Sequence, residues 1–130
     1  MKKIFLLLAF SFVGLMAFSQ QLRFTKGNVA PGKIQTARNY EDFLIGGIKV
    51  ADENGVEYTL VKASFVQKAV SGKSISFELK GAYFPEEQRG NIASASEKGS
   101  TFSFSNVVVK DKNGKEYKIA SVTYEFTGFR

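Results

Sequence analysis

The sequence contains no histidine and no cysteine. Catalytic triads of the Ser-His-Asp or Cys-His type are therefore excluded, and so are zinc sites built from histidine or cysteine ligands. Disulfide bonds are excluded as well, so an exported form of this chain must be held together by packing alone. The enzyme chemistry that remains would have to use carboxylate, Ser-Lys or tyrosine side chains.

The sequence also has no motif for phosphate or dinucleotide binding, because no glycine-rich loop precedes a predicted helix and no Rossmann fingerprint is present. Glu86 and Glu87 are adjacent carboxylates, but neighbours in sequence point in different directions and do not face one cleft as a glycosidase requires. Two acids suit the positive end of a helix dipole instead. We therefore predict a chain that is not an enzyme and that has no catalytic residues, no metal site and no cofactor.

The N-terminus has the pattern of an export signal. Lys2 and Lys3 precede an apolar run from Ile4 to Phe18, and Ala17-Phe18-Ser19 puts small residues where a signal peptidase needs them. The run is shorter than the ~20 residues that a helix needs to cross a bilayer, which makes an uncleaved anchor the weaker interpretation. We predict a cleavable signal peptide over 1–19, a periplasmic or extracellular location and no membrane span after cleavage.

Charged residues are scattered along the rest of the chain. The formal net charge of +6 falls to +4 when Lys2 and Lys3 leave with the leader. No stripe of lysine and arginine is visible, and this pattern favours a solvated surface over a nucleic-acid footprint. We expect no nucleic-acid partner.

The strongest pattern is a segment that occurs twice. Val50 to Leu60 returns as Val109 to Ile119, and each copy holds Asp-x-Asn-Gly between two hydrophobic strands. In such a turn the Asp side chain accepts from the backbone two residues on, and Gly adopts a positive φ without steric cost. We predict two β-hairpins with turns at Asp52–Gly55 and Asp111–Gly114, either from a duplication or from convergence on a favourable hairpin sequence.

The apolar parity changes after each hairpin, between Leu60 and Ala63 and again between Ile119 and Val122. Because successive side chains of a strand point to opposite faces, a change of parity requires an extra residue or a bend. We expect a β-bulge or a sharp bend at two places: Val61–Lys62 and Ala120–Ser121.

Alternation or apolar runs predict further strands over 20–26, 43–50, 74–80 and 102–109. From Pro85 to Gly99 β-branched residues almost vanish, and Pro85 suits a first helical position, so a short crossover helix or an irregular loop lies there. The fold class is all-β, an immunoglobulin-like antiparallel β-sandwich of about seven to eight strands. The predicted organisation is a signal peptide (1–19), an N-terminal segment (20–28) and a single β-sandwich domain (29–130).

The hairpin turns also raise a calcium hypothesis, since Asp52, Asn54 and Glu57 recur as Asp111, Asn113 and Glu116. An EF-hand loop has its Gly at the sixth position and a bidentate Glu at the twelfth, whereas here Gly is fourth and Glu is sixth. The loop is too short to wrap the ion, and its residues are those that a turn prefers. A calcium-tuned adhesion domain therefore stays only an alternative.

The stretch around the predicted helix start is the best candidate for contact with a partner, together with the two hairpin tips. Its aromatic side chains suit protein binding or sugar stacking, or they pack the helix against the sheet. Carbohydrate binding through this stretch is an alternative function. The candidate partner-binding residues are Tyr83, Phe84, Glu86, Glu87, Arg89 and Asn91.

The order of elements is similar to that of a known domain. The segments that carry the similarity are Gly32-Lys33-Ile34, Tyr58 to Phe65, Pro85-Glu86-Glu87-Gln88 with Lys98-Gly99, Phe102 to Val109, Asn113-Gly114, Ile119 and Val122-Thr123-Tyr124. From Val29 to Thr127 the chain resembles the C-terminal domain of the GldM/PorM family, periplasmic proteins of gliding-motility and type IX secretion machines. Phe18-Ser19-Gln20 also resembles the leader ends of exported Bacteroidota proteins.

This resemblance implies a β-sandwich and a role in protein–protein contact rather than catalysis. Members of the family have several domains and an N-terminal membrane helix that joins a motor, whereas this leader has a cleavage pattern. The resemblance therefore implies a stand-alone relative that binds an unidentified protein of the cell envelope.

Overall fold

The computed structural model describes residues 22–128. The predicted signal peptide lies outside the described residues. The described part contains eight strands and two helices, in this order: β1 (Arg23–Lys26), β2 (Gly32–Ile34), α1 (Ala37–Ile45), β3 (Ile48–Ala51), β4 (Glu57–Lys68), β5 (Ser74–Leu79), α2 (Glu86–Ala95), β6 (Thr101–Lys110), β7 (Glu116–Ile119) and β8 (Val122–Phe126).

The strands form one curled sheet. Hydrogen-bonded neighbours follow the order β1-β3-β4-β6-β8-β2, with β5 added to β4 and β7 added to β6. All pairings are antiparallel except the parallel one between β2 and β8. The prediction of an all-β, sandwich-like fold with about seven to eight strands is confirmed.

Both predicted hairpins are present. In the first, β3 pairs with β4 so that Val50 lies opposite Tyr58. In the second, β6 pairs with β7 so that Val109 lies opposite Tyr117. The two hairpins are neighbours in the sheet, because the start of β4 pairs with the end of β6. Their turns therefore lie at the same end of the molecule.

The predicted bulge near Val61–Lys62 is confirmed. Leu60 pairs with Val109, the register shifts on both sides of Lys62, and Phe65 then pairs with Phe104 in the original register. The buried side chains of β4 change parity at this point, as they do in β6. Both strands therefore turn the opposite face to the core beyond the irregularity.

The predicted bend near Ala120–Ser121 is a break between two strands. β7 ends at Ile119 and β8 begins at Val122, yet both pair with β6 in one register. Between the two paired stretches, Asn106 of β6 has a φ of 50°, in the left-handed region. The sheet therefore bends along a line that crosses β4, β6 and the β7–β8 junction.

This line divides the sheet into two halves. The hairpin half consists of β1, β3, residues 57–60, residues 107–110 and β7. The distal half consists of β5, residues 62–68, residues 101–105, β8 and β2. Strands that change face at bulges or bends form the corners of folded-over sheets. Buried side chains from both halves belong to one hydrophobic cluster, so the two halves enclose a single core.

The centre of this core is aromatic. Ring centroids of neighbouring pairs lie 4.7 to 6.4 Å apart, mostly in tilted or edge-to-face arrangements. The fully enclosed rings come from α1, both long strands, the segment before α2 and β8: Phe43, Phe65, Phe84, Phe102, Phe104 and Tyr124. These rings stabilise a chain that has no disulfide bond.

The prediction of a strand over 43–50 is wrong in its first half, where α1 lies. Thr36 begins this helix, and its hydroxyl accepts a hydrogen bond from the N–H of Asn39 at 3.1 Å. Gly46 is its C-cap, and the position requires glycine because a Cβ there would collide with the Cα of Gly27. The apolar run that begins at Phe43 fits a helix as well as a strand, and periodicity cannot separate the two over so few residues.

The predicted crossover helix is present as α2, between β5 and β6. Ile92 is buried, and the C-terminal end of α2 is held to the sheet by Gln67, whose Nε2 donates to the Ile92 carbonyl at 3.3 Å. The hydroxyl of Tyr40 on α1 donates to Ser96 Oγ at 2.8 Å. The helix is therefore fixed at that end. No helix within residues 22–128 is long and apolar enough to cross a membrane.

Candidate functional site

Tyr83 is the most exposed aromatic side chain in the predicted contact stretch, with 63% of its surface accessible. Its ring lies close to the backbone of Gly47, where an added Cβ would come within 3.0 Å of the ring. Glycine at position 47 therefore allows the ring to lie on the backbone. The ring is positioned by this contact while most of its surface faces solvent.

Glu86 and Glu87 form the first turn of α2, as predicted, and both are exposed. Their carboxylates lie at the positive end of the helix dipole. Asn91 is also exposed and donates to Gln88 Oε1 at 3.3 Å. Because Glu87 and Asn91 are four residues apart, they share one helix face. These polar side chains therefore lie on α2, a few residues after Tyr83 in the chain.

Phe84 and Arg89 have structural contacts instead. Phe84 is only 2% exposed and packs on Phe65 and Phe43 in the aromatic core. Arg89 is half-buried, and its Nη1 donates to the carbonyl of Phe84 at 3.2 Å. Of the six candidate residues, these two hold the segment before α2 in place rather than present it to a partner.

Lys26, a fully buried lysine in β1, is not among the site residues predicted from the sequence. Its Nζ donates to the carbonyl of Phe43 at 2.8 Å and also to the carbonyl of Gly46. It therefore satisfies carbonyls at the C-terminal end of α1, where a cation is favoured. The same amine lies 4.1 Å from the centre of the Phe84 ring, within cation–π range.

Burial lowers the pKa of Lys26 to about 7, and the positive charge of Arg89 contributes to this shift. A signal for this burial exists in the sequence, because alternation puts position 26 on the same face as Leu22 and Phe24. The carbonyl partners could not be read from the pattern, since they belong to a helix that was predicted as a strand.

A slot lies beside β1, at one edge of the sheet. Its volume is about 330 Å3, and its walls are β1, the Ala30–Pro31 segment and the β7–β8 junction. Apolar side chains of Leu22, Ile119 and Val122 line it. β1 comes from the segment that the sequence analysis placed ahead of the domain; its pairing with β3 makes it part of the sheet.

The two hairpin tips have the same hydrogen bonds. Oδ1 of Asp52 accepts from the N–H groups of Asn54 and Val56, at 2.9 and 3.0 Å. Oδ1 of Asp111 accepts from the N–H groups two and four residues on at the same distances. Desolvation opposes ionisation of Asp111, but these bonds and one from Tyr117 lower its pKa. In both turns, the carboxylate oxygen stabilises the turn itself.

The tips differ in charge. Residues 51–59 carry three acidic side chains and no basic one, whereas residues 110–118 carry four lysines and two acids. No group of three or more His, Cys, Asp or Glu side chains within residues 22–128 is placed to hold a metal ion. The geometry therefore gives the calcium alternative no support.

Comparison of the chain with models of known protein families finds no match. A search of curated proteins finds none either.

Proposed function

We propose that this chain is an exported, non-catalytic binding module that holds another protein of the cell envelope. The observation that carries this proposal is the exposed ring of Tyr83, positioned on Gly47 beside a helix that the core fixes in place. Large aromatic side chains that are already positioned lose little conformational entropy on binding and are enriched among energetic hot spots.

The surroundings of Tyr83 define the chemistry of the partner. Glu86 and Glu87 are exposed at the start of α2, only a few residues away in the chain. A partner surface with an apolar centre and lysine or arginine at its rim would complement this arrangement. The buried contacts of Phe84 and Arg89 keep the segment rigid, which suits recognition without a large change of shape.

Export and an envelope location rest on the leader pattern over 1–19 and stay a prediction. The resemblance to the C-terminal domain of the GldM/PorM family rests on sequence pattern alone, and it supports the same kind of role, namely protein contact. A place in a gliding-motility or secretion machine is part of this proposal.

The test is a cross-linked purification of the tagged full chain from the envelope of its own host. We expect one or more envelope proteins that are enriched with the wild type and lost with Tyr83→Ala or with Glu86→Lys/Glu87→Lys. Val70→Ala is a matched control, because Val70 is 71% exposed and lies in a different loop. Equal recovery of every protein with wild type and Tyr83→Ala would refute the proposal.

Carbohydrate binding is a second candidate, favoured by the exposure of the Tyr83 side chain. Phe84 does not contribute to a stacking surface, since it is buried. A glycan array distinguishes the candidates: specific glycan binding that is lost with Tyr83→Ala supports sugar recognition, and an array without any signal removes it.

A further inference from the structure

The slot beside β1 has the features of a site where a strand could be added. β1 is the last strand on its side of the sheet, and within residues 22–128 no strand pairs with its outer edge. The opposite wall is the end of β7, whose one strand neighbour in the described part of the chain is β6. The slot thus separates two strand edges of the hairpin half.

The outer edge of β1 presents backbone groups to the slot. The N–H and C=O of Lys26 bond to Val29 at 3.1 and 3.0 Å, so they point away from β3. Alternate residues of an antiparallel strand direct their backbone groups to the same side. The N–H and C=O of Phe24 therefore also point away from β3, toward the slot.

Pro31 cannot form a hydrogen bond with the backbone carbonyl of Phe24. After the Lys26–Val29 bridge, the next residue in register opposite Phe24 is Pro31. Proline has no N–H, so it cannot donate to the carbonyl of Phe24. The chain instead leaves the edge at Ala30–Pro31, and both residues line the slot. Within residues 22–128, no strand pairs with this donor and acceptor of Phe24, which face an apolar slot.

We propose that the slot binds an extended peptide segment of a partner protein, which adds to β1 as a short strand. Its backbone pairs with Phe24, and an apolar side chain contacts Leu22, Ile119 and Val122. Strand addition of this kind takes its affinity from main-chain bonds and its specificity from pockets for alternate side chains. Because only four residues of β1 form the edge, the bound segment is short.

The charge of the slot indicates which polar side chains the bound peptide should carry. Arg23 is the one charged residue among those that line the slot, and no acidic side chain lines it. An aspartate or glutamate of the peptide would pair with this exposed guanidinium, and a lysine would be repelled. The site does not include Tyr83, so this inference and the proposed function stand or fall separately.

The test uses residues 20–130, the form that the predicted signal cleavage would leave, and a capped heptapeptide in which valine alternates with aspartate. A second peptide has lysine in place of aspartate, and a third has N-methyl groups on alternate amides so that one edge cannot pair. Binding is followed by amide chemical shifts and by titration calorimetry. We expect the aspartate peptide to shift the amides of residues 22–25 and 119–122, and the other two to bind at least about tenfold more weakly.

Variants separate a charge effect from loss of the fold. Arg23→Glu is expected to weaken the aspartate peptide at least about tenfold and to strengthen the lysine peptide. Lys33→Glu makes the same charge change on exposed β2, outside the slot, and changes affinity less than about twofold because solvent screens it. Ala120→Glu, inside the slot, weakens the aspartate peptide, and Ser121→Glu beside it serves as its control. Tyr83→Ala leaves peptide binding unchanged.

Several outcomes would overturn the inference. These are binding of no peptide, equal binding of the N-methylated peptide, equal effects of Arg23→Glu and Lys33→Glu, or shifts confined to residues outside the slot. Shifts of the slot amides that depend on protein concentration without peptide would assign the slot to a second copy of the chain, and this outcome would also contradict it.

Discussion

The two hairpins have the same turn and opposite surroundings. Asp52 and Asp111 make the same pair of backbone hydrogen bonds, yet the first tip is acidic and the second is rich in lysine. Their outgoing strands differ too: β4 continues through a bulge, whereas β7 stops and β8 begins. Four residues are enough to specify the turn, while the neighbours of each strand decide how it continues.

Equivalent positions after the two turns are both buried in the core. Phe65 and Tyr124 occupy equivalent positions in the sequence, each the same number of residues after the glycine of its hairpin turn. Both rings are fully buried. Phe65 packs on Phe84, and Tyr124 packs on Phe43, the two rings near the amine of Lys26. The two hairpin copies therefore correspond from their exposed tips to the buried rings at the centre of the molecule.

The largest effect is expected from loss of the first of these rings. Phe65→Ala removes contacts with at least four aromatic side chains and leaves a cavity, which should lower the free energy of unfolding by about 3–5 kcal/mol. Urea unfolding followed by fluorescence or circular dichroism measures it. Val66→Ala, on the other face of β4, should cost under about 1.5 kcal/mol. Similar losses for both variants would contradict the face assignment.

The next effect concerns Lys26, whose amine lies near the rings of Phe43 and Phe84. Below pH 7 the lysine is protonated in both the folded and unfolded chains, and its burial is then most unfavourable. Between the folded pKa of about 7 and the unfolded value of 10.5, only the unfolded chain keeps the proton. Stability from this group therefore rises with pH across that interval, by roughly 1 kcal/mol per pH unit, and is lost as the pH falls to 7.

Unfolding of wild type and Lys26→Met at a series of pH values between 6.5 and 9.5 checks this sign. The rise should disappear in Lys26→Met and persist in Lys33→Met, which removes an exposed lysine. An unchanged rise in Lys26→Met would show that other groups cause it.

A smaller effect separates the two equivalent rings by their chemistry. The hydroxyl of Tyr124 donates to the carbonyl of Val29 at 2.7 Å in a buried position, and the equivalent Phe65 has no hydroxyl. Tyr124→Phe should cost about 1–3 kcal/mol, because a buried carbonyl loses its donor. Tyr117→Phe removes a longer, part-buried hydrogen bond of 3.3 Å to the turn residue Asp111 and should cost clearly less. The opposite ranking would refute a role for the buried bond.

The smallest effect tests whether the turns are equivalent. Gly55 and Gly114 have φ values of 84° and 86°. Alanine at either position should cost about 1–2 kcal/mol, since an L side chain is strained there. Because space is open around both glycines, the two losses should agree within about 0.5 kcal/mol. A clear difference would mean that the surroundings, and not the turn alone, set the conformation.

Much of this fold could be predicted where the signal is local. The turn residues identified both hairpins, the parity change at Leu60 and Ala63 identified the bulge, and Pro85 with its following acids identified α2. The first helix was missed because Phe43 begins a run that suits either periodicity, although Thr36 offered an N-cap signal. Of the candidate site, Tyr83 is exposed as a contact residue must be, whereas the burial of Phe84 depends on packing that no local pattern shows.

The slot could not be predicted, because its walls are brought together by the whole topology. Leu22 and Val122 line it from opposite ends of the sequence. The direction of the Phe24 carbonyl follows from the bridge between Lys26 and Val29, and Pro31 in the next register position has no N–H to pair with it. Sequence alone gives the residues, but the pairing that leaves one edge open appears only in three dimensions.

The long strands β4 and β6 cross from the hairpin half into the distal half without a loop. Neither half can therefore detach while the other stays intact, and we expect unfolding as one cooperative unit, with the slowest amide exchange along these two strands. Proteases cleave chains that open locally, so this continuity should make the folded protein resistant to proteolysis.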